Sequence, residues 1–129
     1  MADASALLEY LLQTDRSASI RDLLRQTDVD LRVPALCDVE VTAGLRRALL
    51  GELLSLDRAA QALDHYLLMP ITRHGHEALL SRVLVLRSNF STYDACYVAL
   101  AEVLGADLLT ADEQLSRAVR THTTVTVLT

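Results

Sequence analysis

The stretch from Ser91 to Glu113 reads STYDACYVALAEVLGADLLTADE and decides how the rest of the chain is interpreted. Its start is a helix signal, because the hydroxyl of Ser91 or Thr92 can accept hydrogen bonds from the first free N–H groups of a helix. Apolar residues then recur at helical spacing, which predicts one buried face. That face comprises Ala95, Val98, Ala99 and Val103, with Leu100 and Leu104 widening it.

The second half of this stretch predicts a strand and places two carboxylates. Gly105 ends the helix, since glycine readily takes the left-handed conformation of a C-terminal cap. Leu108 and Leu109 then form a short apolar strand, which is typical of the centre of a parallel sheet. Asp94 lies in the first turn of the helix, where the dipole favours the charged form. Asp112 lies just past the carboxyl end of the strand, where ligands bind in open α/β sheets.

Helices and strands alternate along the remaining chain. Periodicity predicts helices over 3–14, 17–26, 35–50, 56–68, 74–86 and 114–120, and strands over 31–33, 69–72 and 123–128. This order predicts an α/β fold with a parallel β-sheet flanked by helices on both faces. Only Met1 and Ala2 precede the first helix, so the first strand is expected to be short or truncated. The length and the lack of linkers predict a single domain over 1–129.

The composition excludes several classes of protein. Half of the residues are apolar, yet no run of 18 apolar residues occurs, so we expect no membrane span. The N-terminus has no signal-peptide pattern, and a cytoplasmic location is expected. Cys37 and Cys96 form no metal-type or redox pair and are expected to be small buried hydrophobes. The histidines also lack zinc-site spacing and are expected at the surface: His65, His74, His76 and His122.

The charge balance is acidic, with 12 basic residues, all arginine, against 17 acids and a net charge of −5. This balance argues against a protein that coats nucleic acid non-specifically. Arginine nevertheless suits phosphate contacts, because its guanidinium fork binds oxyanions in pairs. Arg47 lies two helical turns after Glu40 on the same face. It is either an RNA-phosphate contact or a plain solvent-exposed arginine.

Four acids lie near the amino end of a helix or the carboxyl end of a strand, positions that converge in a parallel sheet. They are Asp3, Glu40, Asp94 and Asp112. Four clustered carboxylates would repel by several kcal/mol at an effective dielectric of about 20, and only cations make the cluster tolerable. Oxygen ligands select Mg²⁺ or Mn²⁺ over zinc. Two such ions roughly 4 Å apart can activate water and stabilise both oxygens in a phosphodiester displacement.

Each acid also has a purely structural interpretation that spacing alone leaves open. Asp3 and Asp112 are candidate helix caps, and Asp94 is a candidate surface acid favoured by the helix dipole. Asp38, two residues before Glu40, is expected to face water.

Four segments together resemble the PIN-domain ribonucleases, and most closely the VapC toxins of bacterial toxin–antitoxin pairs. They are Asp3-Ala4-Ser5 before an apolar helix, Glu40 after a strand ended by proline, Tyr93-Asp94-Ala95, and Thr110-Ala111-Asp112. The resemblance implies a parallel sheet between helices and an Mg²⁺/Mn²⁺-dependent endoribonuclease activity. The metal-binding and catalytic acids of the family carry over to Asp3, Glu40, Asp94 and Asp112. Its small hydroxyl positions carry over to Ser5 and Thr110, each two residues from an acid and able to orient a carboxylate or a water.

The resemblance also implies partners. The expected protein is a toxin that cleaves RNA and inhibits growth, is held inactive by a cognate antitoxin, and forms a homodimer. Its RNA would be selected by shape and single-stranded loops. An apolar ridge on the first helix is either core packing or part of a partner groove: Leu7, Leu8, Tyr10, Leu11 and Leu12.

Two other functions stay open at this point. One is a non-catalytic PIN-like binding module, whose site would be distorted by the incomplete first strand. The other, weaker, is a metal-dependent phosphatase, although the sequence contains no glycine loop that could cradle a phosphate.

Overall fold

The computed structural model of the chain describes residues 1–26 and 28–128. The α-helices are α1 (Ala4–Leu12), α2 (Ala18–Leu24), α3 (Cys37–Leu50), α4 (Leu56–Leu68), α5 (Leu80–Val85), α6 (Thr92–Leu104) and α7 (Glu113–His122). The strands are β1 (Leu31–Pro34), β2 (Ile71–His74), β3 (Leu108–Leu109) and β4 (Val127–Leu128). Short 3₁₀ turns lie at Asp15–Ser17, Glu77–Leu79 and Leu86–Ser88.

Every strand pair in the described part of the chain is parallel, as predicted. β1 pairs with β2, and β3 pairs with β4. The predicted strand over 69–72 begins two residues late, at Ile71, because Pro70 has no N–H to donate to a ladder. β2 has β1 as its hydrogen-bonded neighbour and lies at an edge, as the proline indicated.

The first strand is very short but present. Ala2 forms a parallel bridge with Leu109. The Asp3 N–H donates to the Leu109 carbonyl at 3.0 Å, and the Leu109 N–H donates to the Met1 carbonyl at 2.8 Å. β3 therefore has a neighbour on each side, as expected for a central strand. The short first strand is enough to fix Asp3 at the carboxyl edge of the sheet.

Helix α6 packs against both β1 and β3. Its residues from Ala95 to Ala101 are all buried, so the middle of this helix is enclosed on every side. Gly105 ends it with φ of 59°, the left-handed conformation predicted for this position. Val103 is 71% exposed, so its assignment to the buried face was wrong. Leu104, the next residue, does pack against the core while partly exposed.

Helices α1 and α3 lie very close together because of Gly44. A Cβ atom at this position would lie 2.3 Å from Cδ1 of Leu8. Glu40 lies one turn before Gly44 on α3, and Asp3 caps α1. The glycine thus brings the helix that carries Glu40 up to the helix that Asp3 begins.

The region after β2 differs most from the sequence prediction. His74 ends β2, and the predicted helix over 74–86 is divided into a 3₁₀ turn, α5 and a second 3₁₀ turn. The His76 ring accepts the Leu36 N–H through Nε2 at 3.0 Å. This contact fixes His76 against the start of α3, so tertiary packing overrides the local helical pattern.

The apolar ridge of α1 is core packing. Leu7 and Leu11 are buried, and Leu8, Tyr10 and Leu12 pack against the core while partly exposed. Cys37 and Cys96 are free and buried, as predicted. Among residues 1–26 and 28–128, every helix is too short or too polar to span a bilayer.

Candidate active site

Asp3 is 5% exposed and held by three hydrogen bonds. Its Oδ1 accepts from the Ala6 N–H at 3.0 Å and from the Ser5 hydroxyl at 2.6 Å. Its Oδ2 accepts from the Thr110 hydroxyl at 2.5 Å. Burial raises the pKa of Asp3, and the bonds from Ser5, Thr110 and Ala6 oppose that rise. The carboxylate is therefore fixed in one orientation.

The two hydroxyls also tie the start of α1 to the end of β3. The Ala111 N–H donates to the Ser5 hydroxyl oxygen at 3.0 Å. The Asp112 N–H donates to the Thr110 hydroxyl oxygen, also at 3.0 Å. Thr110 thus donates to one acid and accepts from the backbone of another.

Asp112 is exposed and caps α7. Its Oδ1 accepts from the N–H groups of Gln114 at 2.9 Å and Leu115 at 3.1 Å. The structural interpretations of Asp3 and Asp112 as helix caps are therefore correct as far as they go. Capping also orients each carboxylate, so it does not remove either residue from a candidate site.

Glu40 and Asp94 are half-buried and lie in the first turns of α3 and α6. Burial raises the pKa of Glu40, the negative charge of Asp3 adds to the rise, and Tyr97 and Arg47 oppose it. Burial also raises the pKa of Asp94, with further contributions from the charges of Asp112, Asp3 and Glu40. Oε1 of Glu40 is buried and has no hydrogen-bond partner in the described part of the chain.

The four acids meet at one cavity of about 260 Å³, the acidic cavity. It is lined by Asp3, Glu40, Asp94 and Asp112 together with Ser5, and further by Ala4, Leu8, Ala43, Arg47 and Tyr97. Thr110 lies behind Asp3 rather than on this wall. The structure thus brings together every acid that the sequence singled out, and it places both hydroxyls in contact with Asp3.

Comparison with known proteins shows the family of this chain. The profile of the PIN domain matches residues 1–120. This chain belongs to the PIN-domain family. It is similar to the VapC ribonuclease Mb0985 of Mycobacterium bovis, with 36% identity over 99% of this chain and 97% of the relative. It is also similar to ribonuclease VapC3 of Mycobacterium tuberculosis, with 38% identity over 92% of this chain and 85% of the relative.

A solved structure shows the same fold. The protein PAE2754 from Pyrobaculum aerophilum superposes with a TM-score of 0.70, covering 98% of this chain and 80% of that one. The two sequences are 22% identical, so this likeness concerns the fold alone.

PIN-domain nucleases generally use a divalent metal, and the donor set of this PIN domain suits one. Every carboxylate that lines the cavity offers oxygen, the ligand preferred by hard cations. In residues 1–26 and 28–128, however, no three His, Cys, Asp or Glu side chains lie close enough together to hold a metal as they stand. Glu40, whose Oε1 is buried without a partner, has the most to gain from a cation.

Two residues of this cavity received little or no weight from the sequence. Tyr97 follows Asp94 by three residues, a spacing that places both on one helix face. Its hydroxyl is buried without a hydrogen-bond partner among the described residues. Arg47 lines the cavity as well, so the helical spacing from Glu40 was informative.

The Asp38 side chain is 40% exposed, so it faces water as predicted, but it also has partners in the protein. It accepts the Tyr66 hydroxyl at 2.6 Å and pairs with Arg73 at 2.8 Å. These contacts hold Asp38 against α4 and β2, and it does not line the acidic cavity. Its helical offset of two residues from Glu40 accounts for this, since such residues do not share a face.

Proposed function

We propose that this PIN domain is a metal-dependent endoribonuclease and the toxin of a toxin–antitoxin pair, which inhibits growth by hydrolysing phosphodiester bonds in RNA. The convergence of four carboxylates on one cavity is the observation that carries the proposal. Relatives named as VapC ribonucleases, which match at 36–38% identity over most of the chain, support it. We propose that residues 1–129 form one domain that acts in the cytoplasm, where RNA and an antitoxin would meet it.

The proposed metal ligands are Asp3, Glu40, Asp94 and Asp112, and the proposed ion is Mg²⁺ or Mn²⁺. A divalent cation, when bound, neutralises charge on the phosphoryl oxygens and lowers the pKa of the attacking water. Ser5 and Thr110 are positioning residues, because their hydroxyls donate to Asp3. Both hydroxyls also accept backbone N–H groups at the end of β3. These bonds hold Asp3 and Asp112 at a spacing that the fold sets.

Arg47 is proposed to contact a phosphate of the RNA at the mouth of the acidic cavity. Its side chain is exposed, and its positive charge favours the charged form of Glu40. A guanidinium at this place can hold a phosphodiester beside the carboxylates without being a metal ligand.

The alternative hypothesis, a non-catalytic binding module with a distorted site, required that the short first strand leave Asp3 misplaced. The backbone bond from Asp3 to Leu109 and the side-chain bonds from Ser5 and Thr110 fix this residue despite the short first strand.

A cognate antitoxin and a homodimer complete the proposal. A metal-free cavity with four acids would accept a basic side chain of the antitoxin, since arginine can bind carboxylates in a bidentate manner. The leucines of α1 contribute little to apolar contacts with the antitoxin, because Leu7 and Leu11 are buried. Leucines that are more exposed lie elsewhere and are available to partners, namely Leu50, Leu53, Leu56, Leu67 and Leu68.

The test is cleavage of single-stranded RNA by the purified chain with Mg²⁺, with Mn²⁺ and with a chelator. We expect cleavage with either metal, none with the chelator, and stoichiometric inhibition by the antitoxin. Expression of the chain alone should stop growth, and co-expression of the antitoxin should restore it. Failure to cleave RNA with both metals, together with normal growth, would favour the binding module instead.

A further inference from the structure

A second cavity, of about 490 Å³, adjoins the acidic cavity along helix α7. Asp112 lines both cavities, so they share a wall. The other wall of this second cavity, which we call the α7 cavity, includes Ser116, Arg117 and Arg120. Ile20 of α2 closes its apolar side.

Two arginines give the far side of the α7 cavity a positive charge. Arg117 and Arg120 are three residues apart and share one face of the helix. Both are exposed, and neither forms an ion pair within residues 1–26 and 28–128. The Nε of Arg117 makes a long contact of 3.5 Å to the Glu113 carbonyl. The guanidinium groups therefore keep most of their donors for a ligand.

Acids at the near side oppose this charge. Asp112 and Glu113 line the same cavity, at the start of α7. The charge consequently changes sign along the helix, from the edge shared with the acidic cavity to the edge formed by Arg117 and Arg120. A small free anion in the α7 cavity would be attracted by the two arginines and repelled by the two acids, so its net attraction is weak. A polyanion that also binds at the acidic cavity can place one of its phosphates directly beside Arg117 and Arg120.

Ser116 adds a second and independent observation. The residue is 3% exposed and lines the α7 cavity, and its Oγ has no hydrogen-bond partner in the described part of the chain. A buried hydroxyl without a partner is destabilising, so it calls for an acceptor that the protein does not supply. Phosphate oxygens are such acceptors, and the two neighbouring guanidinium groups select for the same chemistry.

We propose that the α7 cavity binds a backbone phosphate of the RNA, one or more nucleotides away from the bond that is cut. This inference rests on the proposed ribonuclease function and names how its substrate is held. Because Asp112 borders both cavities, they lie side by side, and a strand at the acidic cavity would pass Asp112 and continue along α7 as one track. The track also explains how a chain with net charge −5 holds a polyanion.

The experiment compares a double variant, Arg117→Gln/Arg120→Gln, with the control Arg82→Gln/Arg87→Gln. Both variants lose two positive charges, and the control residues line neither cavity. In the first variant we expect KM for RNA to rise about tenfold at low salt while kcat is retained, the pattern for lost uniform binding. The dependence of log kcat/KM on log salt should become shallower by about 0.7, the change for one phosphate of a single strand. The control should match the wild type in both respects.

Substrate length gives a second readout that a merely structural role would not change. RNA is shortened one nucleotide at a time from each end, and the penalty of the double variant is measured for each length. The penalty should disappear once the phosphate that reaches the α7 cavity has been removed. A penalty that persists at every length would overturn the proposal, and so would equal effects in the double variant and the control.

The remaining outcomes separate this inference from the proposed function. A wild-type chain that cleaves no RNA with either metal contradicts the ribonuclease itself. A wild-type chain that cleaves, with a double variant of unchanged KM and salt dependence, contradicts the α7 cavity alone. If the double variant cleaves normally but escapes the antitoxin, the cavity takes an acidic segment of that protein, and the phosphate proposal is wrong.

Discussion

The two sides of the acidic cavity differ in how their carboxylates are satisfied. On one side, both oxygens of Asp3 accept hydrogen bonds from the protein. On the other, Oε1 of Glu40 is also shielded from water but has no partner among the described residues. Burial raises the pKa of both groups, but Asp3 is the more deeply buried of the two and is the one whose oxygens the protein satisfies. The protein satisfies the carboxylate of Asp3 by itself, whereas Oε1 of Glu40 can still accept a bond and is suited to a cation.

The difference has a local origin. Ser5 and Thr110 are short hydroxyl residues placed two positions from an acid, close enough to reach Asp3. Glu40 has Ala43 and Leu8 beside it on the cavity wall, and these supply no donor. Tyr97 and Arg47 line the same cavity and favour the charged form of Glu40, but neither forms a hydrogen bond with Oε1.

The largest expected effect comes from the side of the acidic cavity that carries Glu40 and Asp94, which we call the open side. Asp94→Asn keeps the shape of the side chain and removes a proposed ligand, so we expect RNA cleavage to fall at least about 100-fold. The metal-free variant should be as stable as the wild type or slightly more stable, because a like charge has been removed from the cluster. Cleavage assays and denaturant unfolding measure the two effects.

Asp64→Asn is the matched control, since Asp64 is exposed on α4 and lines no part of the acidic cavity. It should leave both quantities unchanged. Full activity in Asp94→Asn with metal present would rule out the proposed role of this residue.

The side that carries Asp3, which we call the fixed side, should lose stability when it is altered, whereas Asp94→Asn should not. Thr110→Val leaves Oδ2 of Asp3 without its donor and the Asp112 N–H without its acceptor. A buried group left unsatisfied costs about 1–3 kcal/mol, and loss of a supporting contact lowers activity about 10- to 100-fold. Thr110→Ser restores the hydroxyl and should recover most of both. If Thr110→Val were as active as the wild type, the orientation of Asp3 would not matter for cleavage.

The same contrast shows what the sequence could and could not predict. Capping, helical spacing and the apolar strand at Leu108 place Asp94 and Asp112 correctly, because these signals act within one element. The partners of Asp38 could not be predicted, because Tyr66 and Arg73 lie 28 and 35 residues away. The division of the helix after β2 also depends on a distant contact, that of His76 with Leu36. Hydrogen bonding across the fold likewise explains why the sequence could not show which acids are fixed.

A smaller effect is expected from pH and metal. A carboxyl whose pKa is raised in the folded state binds more protons there than in the unfolded chain. The free energy of unfolding therefore decreases as pH rises from about 4 through the raised pKa, and the loss persists above it. Asp94 and Glu40 have such raised pKa values, with burial as the main cause.

Subtracting the unfolding free energy of Asp94→Asn from that of the wild type at each pH gives the contribution of this residue together with its coupling to the other acids. In the metal-free protein, the difference should become less favourable to the wild type as pH rises. Metal should reverse this at neutral pH, adding about 1.4 kcal/mol to the wild type at ten times its dissociation constant. A difference that is constant with pH would mean that Asp94 is not perturbed by the cluster.

The smallest expected effect concerns the distance between the two sides, which the contact of Gly44 with Leu8 limits. Gly44→Ala gains about 1 kcal/mol of helix propensity but places a Cβ 2.3 Å from Leu8, so we expect a net loss of stability of up to about 1 kcal/mol. Cleavage should decrease a few-fold, because α1 moves away from α3 and Asp3 with it. In a Leu8→Ala background the same change should instead stabilise, since the obstructing atoms are gone. Gly51→Ala, where a Cβ would lie 3.4 Å from the nearest atom, should remain within about 0.5 kcal/mol of the wild type. Additive effects of Gly44→Ala and Leu8→Ala would show that this contact does not set the separation, because residues in contact are expected to be coupled.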